Sequence, residues 1–317
     1  MHELESYQLI VIALGAISFG VYLLVVGGDW TVDNAVIVAD KSGLSKHFIA
    51  ATVVAFGTSA PELFTSINAN LSGFPGISVG NVIGSNIANV MMVIGVSAMI
   101  APVVFKPSEV RVDTLVMLGA TVAMAAAILN GLLPRWGGIA MVVAIGLYLV
   151  YQYKSSKLDV DEIEESEGGS TKPLFMLVAG ILTLLIGSEI LVQGAVAGGV
   201  ALGVPEAVIG ATMIAFGTSL PELTACVSAA RKGHSDMIIG GIIGSNIFNI
   251  LSVMAFSAIA KPLVMDSRFA AFDLPIVIAV TLLFAAFLLF AGRIGRLAGA
   301  LMAFGYVAFI VAQYAFT

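Results

Sequence analysis

The nonapeptide AFGTSAPEL at 55–63 returns as AFGTSLPEL at 215–223, identical at eight of nine positions and offset by 160 residues, about half of the 317-residue chain. The same offset aligns GNVIGSNIANV (80–90) with GGIIGSNIFNI (240–250), seven of eleven positions being identical, and Asp29, Ala51 and Thr52 with Glu189, Ala211 and Thr212. A duplication on this scale calls for a fold made of two copies of one arrangement. Each copy also places a helix-breaking proline and a carboxylate inside a long apolar run.

Composition sets the solvent in which those copies fold. Apolar residues make up 59% of the chain and charged residues only 11%, against roughly 25% charged in soluble domains. Apolar runs fall at about 7–40, 47–71, 77–102, 110–131, 134–153, 173–203, 206–231, 236–261, 270–291 and 295–316. Runs of about 20 residues span roughly 30 Å of hydrocarbon as helices. The expected fold is therefore an all-α integral membrane protein of ten transmembrane helices. Residues 1–153 form a first five-helix repeat and 173–317 a second. Five is odd, so the second copy enters the bilayer from the opposite side. Such inverted repeats are typical of secondary transporters, which bind their cargo near the bilayer midplane between the repeats.

Between the repeats lies KSSKLDVDEIEESEGGSTK, 154–172, with six acids from Asp159 to Glu167. It lacks the Gly-punctuated pattern of a calcium-binding loop and reads as an acidic cytoplasmic linker. With the N-terminus outside, 11 of the 14 basic residues fall in inside loops, and only Arg135, Lys261 and Arg268 fall outside. The positive-inside rule then puts both termini outside, in what is expected to be a prokaryotic inner membrane. The start, MHELESYQLI, has no basic segment of the kind that opens a cleaved signal peptide. Cys226 is the sole cysteine, so no intrachain disulfide forms, and its apolar surroundings suggest packing. The net charge of −6 with no basic patch argues against nucleic acid as a partner, and no cofactor is expected.

The duplicated motifs carry the chemistry. Within a helix, Pro61 and Pro221 each remove an N–H and crowd the carbonyl four residues back, at Gly57 and Gly217. The second and seventh helices should therefore break around Gly-Thr-Ser. Backbone carbonyls freed at membrane depth must be buried in protein or line a cavity, and a bound cation satisfies them. Thr58, Ser59 and Glu62 add hydroxyl and carboxylate oxygens, as do Thr218, Ser219 and Glu222. Ser85 and Asn89, like Ser245 and Asn249, stand four residues apart on one helical face. The result is an all-oxygen site suited to a hard cation such as Ca²⁺. Intramembrane carboxylates generally mark ion pathways. Asn86 and Asn246 point off that face and read as packing contacts. Asp29 and Glu189 read as capping or gating hydrogen bonds.

At these residues the chain resembles the sodium/calcium exchangers of the calcium/cation antiporter superfamily, whose alpha repeats carry the duplicated GTS-x-PE and GSN-I-x-N motifs. The resemblance spans essentially the whole chain. It implies a Na⁺/Ca²⁺ antiporter with central sites for both ions, with access alternating as the first and sixth helices slide. It further implies Ca²⁺ ligation by Glu62, Glu222 and the Thr58 and Thr218 backbone. Na⁺ ligation would involve the carbonyls of Ala55 and Ala215 together with Ser59, Ser219, Ser85 and Ser245. Vertebrate members carry a large regulatory domain where this chain has the 154–172 linker. Many relatives have Asp at the position of Asn249, and potassium dependence in related exchangers is linked to acids there. In this chain both positions, 89 and 249, are amides.

Other readings fit less well. Proton/calcium exchangers use different motifs around the glutamate. A serine hydrolase needs a base near its nucleophile, and the only histidines, His2, His47 and His234, sit at helix ends. A channel uses the same oxygens, and dependence of flux on a counter-ion separates it from an antiporter.

Overall fold

The computed structural model describes residues 2–156, 171–202 and 217–315. Among them run α1 (His2–Ser42), α2 (Lys46–Thr58), α3 (Ala60–Leu71), α4 (Pro75–Ile100), α5 (Pro107–Leu129) and α6 (Arg135–Ser155). The second half holds α7 (Thr171–Ala201), α8 (Leu220–Lys232), α9 (Ser235–Ala260), α10 (Phe269–Ala291) and α11 (Arg296–Ala315). Seven of these helices are long and apolar enough to cross a membrane, and α2 with α3 makes an eighth such span, bent by 42°. The expected spans match these helices to within a few residues, except that much of the run at 206–231 and the linker at 157–170 lie outside the described residues.

Local sequence sets the ends. Pro75 and Pro107 stand in the first turns of α4 and α5, where a missing N–H costs nothing. α8 stops at Gly233, which takes the left-handed conformation (φ 78°) after Arg231 and Lys232 in the last turn, a glycine terminator with basic residues at the negative end of the helix dipole.

The molecule buries polar groups and exposes apolar ones, as a bilayer solvent requires. α9 is internal along its membrane-crossing length, with Ile239, Ile242, Ile243 and Ile247 fully buried. Phe290, Trp136, Phe175 and Val122 lie on the outside. α1 and α7 form a closely packed pair: a Cβ at Gly20 would strike the Gly187 carbonyl, and one at Gly27 the Gly180 carbonyl. Small residues let transmembrane helices approach this closely.

Contacts between the halves are reciprocal. β1 (Val103–Val104) pairs antiparallel with β4 (Arg293–Ile294), and β2 (Leu132–Leu133) with β3 (Leu263–Val264). The Phe105 N–H donates to the Gly292 carbonyl at 3.0 Å, and its counterpart Met265 donates to Gly131 at 2.9 Å. Arg135 reaches the Ala260 carbonyl and Arg296 the Ile100 carbonyl, each at 3.3 Å. In these contacts each feature of one half meets the partner feature of the other, as a two-fold relation demands. These two-residue bridges modify the all-α expectation. Chain leaving a helix end needs partners for its backbone polar groups, and here it finds them in the opposite half.

The 160-residue offset also shifts. It holds between Asp113 and Asp273 but becomes 161 between Gly131 and Gly292, both glycines having positive φ (72° and 66°). A π-helical turn at Phe287–Ala291 lies in that interval, and a wider turn absorbs one inserted residue without breaking the helix.

Candidate functional site

The two copies of the motif meet at the centre of the bundle. α2 starts from Ser45, whose Oγ accepts the Phe48 N–H at 3.1 Å, passes through a π turn at Ala50–Val54 and ends at Thr58. Ser59 (φ −83°, ψ 7°) forms the hinge to α3, whose first turn holds Pro61. Ser219 (φ −88°, ψ 3°) and Pro221 repeat this ahead of α8. The break is a one-residue hinge and not an unwound stretch: Ser59 N–H still reaches the Ala55 carbonyl at 3.0 Å, and Leu63 N–H the Ser59 carbonyl at 3.2 Å. In the second copy the carbonyl four residues before the proline, Gly217, accepts the Ser188 hydroxyl of α7 at 2.7 Å. Its counterpart on α1 is Gly28, which has no hydroxyl to offer Gly57.

Glu62 and Glu222 are buried, 1% and 3% exposed. Ser85 Oγ donates to Glu62 Oε1 at 3.4 Å, and Ser59 Oγ donates to Glu222 Oε1 at 3.1 Å. Thr218 stands close to Glu62 and Thr58 close to Glu222, so a hydroxyl of each copy lies near the carboxylate of the other. Among the described residues, the other oxygen of each carboxylate, Oε2, is buried without a hydrogen-bond partner, as are Asn89 Oδ1, Thr218 Oγ1, Ser219 Oγ and both polar atoms of the Asn249 amide. Buried polar atoms are nearly always paired. So many without partners in one motif pair fit a ligand that brings positive charge. Ser245 joins Thr58, Ala55 and Glu222 on the wall of a small cavity of about 20 Å³ that continues past Cys226 and Met237.

The structure thus assembles Thr58, Ser59, Glu62, Ser85, Thr218, Glu222 and Ser245, and buries Ser219 at its hinge. Asn89 reaches across to the other copy and donates to Asn246 Oδ1 at 3.1 Å, so Asn246 is the packing contact expected of it. The Ala55 carbonyl already accepts from Ser59 N–H and from Thr58 Oγ1, the latter at 3.3 Å. Ala215 lies outside the described residues. Asp29 accepts a hydrogen bond from Ser228 at 2.6 Å, and Glu189 accepts one from Gln193 at 2.9 Å.

Two features escaped the sequence reading. Asn81 Nδ2 donates to the Glu62 carbonyl at 3.2 Å and to Ser66 Oγ at 2.9 Å. The sequence carried one signal of this, since Asn81 breaks the repeat where the other copy has Gly241. Apart from the centre, buried Asp113 on α5 takes His47 Nε2 at 2.6 Å on Oδ2 and Gln152 on Oδ1, with Tyr148 Oη 2.8 Å from Gln152.

The model of the sodium/calcium exchanger protein family matches this chain twice, over residues 12–154 and 172–315. The chain belongs to the sodium/calcium exchanger family. It is 32% identical to the sodium/calcium exchanger MaX1 of Methanosarcina acetivorans, over 93% of this chain and 96% of that one. It is 29% identical to the inner membrane protein YrbG of Escherichia coli, over 96% and 97% of the two chains. Its fold superposes on the solved sodium-calcium exchanger NCX_Mj with a TM-score of 0.84 at 31% identity, covering 95% of this chain and 99% of that one. As a member of this family the chain is an integral membrane exchanger, and its two matches divide it where the 160-residue repeat does.

Proposed function

We propose that this exchanger moves Ca²⁺ against Na⁺ by alternating access through a ten-span inverted repeat, exporting Ca²⁺ electrogenically. The observation that carries the reading is the pair of buried carboxylates, one from each repeat, each with an unpaired oxygen. Two such groups balance one divalent ion, and uncompensated charge at this depth is costly. Ca²⁺ takes 6–8 oxygens at flexible geometry. Glu62, Glu222, the hydroxyls of Thr58, Ser59, Ser85, Thr218, Ser219 and Ser245, and the amides of Asn89 and Asn249 supply that number from the two motif pairs. The carbonyls of Ala55 and Ala215 complete the proposed Na⁺ ligands. No carboxylate stands at 89 or 249, which favours K⁺-independent exchange.

The test is Ca²⁺ uptake into proteoliposomes under imposed Na⁺, H⁺ or K⁺ gradients. Uptake driven by internal Na⁺ alone is expected. Uptake that follows an H⁺ gradient instead overturns the sodium reading, and flux without any counter-ion overturns antiport. The second reading, a proton/calcium exchanger, has no comparable observation behind it.

A further inference from the structure

The two helices that follow the hinges, α3 and α8, are treated differently by the long α1–α7 pair. α8 presents Thr224, Ser228 and Lys232 on one face, four residues apart, and α1 lies against that face. A Cβ at Gly28 would meet Thr224 Cγ2 at 3.1 Å. Ser228 Oγ donates to Asp29 Oδ1 at 2.6 Å. The Lys232 ammonium spans two carboxylates, 2.7 Å from Asp33 Oδ1 and 3.2 Å from Asp29 Oδ1. It also donates to the Asp29 carbonyl at 3.3 Å.

The same offset predicts a matching contact in the other half, and the residues for it are missing. The α3 positions equivalent to Thr224, Ser228 and Lys232 are Phe64, Asn68 and Ser72, all exposed and none cationic. On α7, the equivalents of Asp29 and Asp33 are Glu189 and Gln193, which bond to each other along their own helix. Among the described residues, one end of the α1–α7 pair is fastened in this way and the other is not.

The fastened contact covers a path to the site. The small cavity beside Glu222 and Thr58 is walled by Val32 of α1 and by Cys226 and Ala229 of α8, within a turn or so of the Asp29–Lys232 contact. We infer that Lys232, bridging Asp29 and Asp33 with Ser228 beside it, is a positioning residue: a latch that holds α1 on α8 and so keeps this end of the pathway shut in the ion-free exchanger. The inference rests on the alternating-access reading, under which α1 must part from α8 for ions to leave past Cys226. The latch adds a cost to that opening that has no counterpart at the α3–α7 end among the described residues, so the free exchanger rests open on the α3 side.

Cys226 is the only cysteine and buried, which makes it a native reporter. Full-length protein in proteoliposomes is treated with N-ethylmaleimide without Na⁺ or Ca²⁺, and the rate of Cys226 modification is measured. Two part-exposed ion pairs are worth on the order of tenfold in an equilibrium constant. Lys232→Met, which keeps the aliphatic stem, should therefore raise the rate about tenfold, and Lys232→Arg should restore slow labelling. Asp33→Asn removes one pair from the α1 side and should raise the rate by a smaller factor, giving a second variant should Lys232→Met fold poorly. Glu189→Gln, which alters the unlatched end, should leave the rate unchanged. Wild-type labelling that responds to Na⁺ or Ca²⁺ but not to Lys232→Met or Asp33→Asn overturns the latch alone. Labelling that responds to neither ions nor variants overturns alternating access at this end with it.

Discussion

The Ser59 hydroxyl donates to Glu222 Oε1 at 3.1 Å although the two residues are 163 positions apart and belong to different copies of the repeat. The hinge of one copy therefore completes the coordination of the carboxylate in the other. In the proposed ion site neither motif suffices by itself, which accounts for the duplication: a single copy supplies one carboxylate and half of the hydroxyls.

Glu62→Gln and Glu222→Gln should each lower Na⁺-driven Ca²⁺ uptake by ~100-fold or more, since either leaves one negative charge for a divalent ion in a dry site. Ser59→Ala removes a hydrogen bond to a charged group, worth about 1.5–3 kcal/mol, and should weaken transport by roughly 10- to 100-fold. Uptake assays on protein that elutes as wild type by size exclusion check both. Near-normal transport by either glutamine variant would sink the two-carboxylate site.

Asp113 and His47 make a second prediction, on stability. Asp113 is 3% exposed and holds both His47 and Gln152. Leaving a buried carboxylate without one of its hydrogen-bond partners costs about 1–3 kcal/mol or more. His47→Ala should therefore lower the melting temperature in detergent markedly. Adding Asp113→Asn should recover part of the loss, since it removes the stranded charge. A double variant less stable than wild type by the full sum of the two single losses contradicts this account.

How much of this was legible in the sequence depends on the range of the signal. Apolar runs report the solvent residue by residue, so the helices at 75–100, 107–129 and 135–155 fall where hydropathy places them. The 160-residue repeat carried Glu62 to Glu222 and Ser85 to Ser245 because identical motifs fold alike. The π turns at Asn89–Val93 and Asn249–Met254 left no such mark. They widen the helix where it passes the site, so four-residue spacing counted from Ser85 or Ser245 loses its meaning beyond them. The Asn89–Asn246 bond joins the two copies, and a wheel drawn for one helix does not report it. The Asp113 network and the Lys232 contact join residues 66 and 199 positions apart. Such pairs are fixed by how helices dock, which periodicity does not encode.

Orientation is tested by labelling. With both termini outside, single cysteines placed at the N-terminus and near Thr317, on a Cys226→Ser background, should react with an impermeant maleimide added to intact cells. A cysteine at Ser166 in the linker should react only after the membrane is opened. The reverse pattern contradicts the distribution of basic residues, 11 of 14 on one side.

The last prediction concerns charge. Glu62 and Glu222 give the proposed site a formal charge of −2 when both are ionised, and Asn89 and Asn249 add none. One Ca²⁺ cancels that charge and three Na⁺ exceed it by one. A three-for-one exchange thus moves one net charge per cycle, coupling transport to the membrane potential by about 2.3 kcal/mol per 100 mV. In liposomes loaded with Na⁺, Na⁺ exit and Ca²⁺ entry carry one positive charge outward, so an inside-positive potential assists the cycle. Setting the potential with K⁺ and valinomycin should shift the equilibrium Ca²⁺ gradient by on the order of 50-fold per 100 mV. Asn249→Asp makes the site −3, which three Na⁺ cancel and one Ca²⁺ does not, so it should favour Na⁺ occupancy and raise the Ca²⁺ concentration needed for half-maximal uptake. A Ca²⁺ gradient indifferent to the clamped potential means electroneutral exchange. In that case the three-sodium stoichiometry fails, while antiport through the two carboxylates stands.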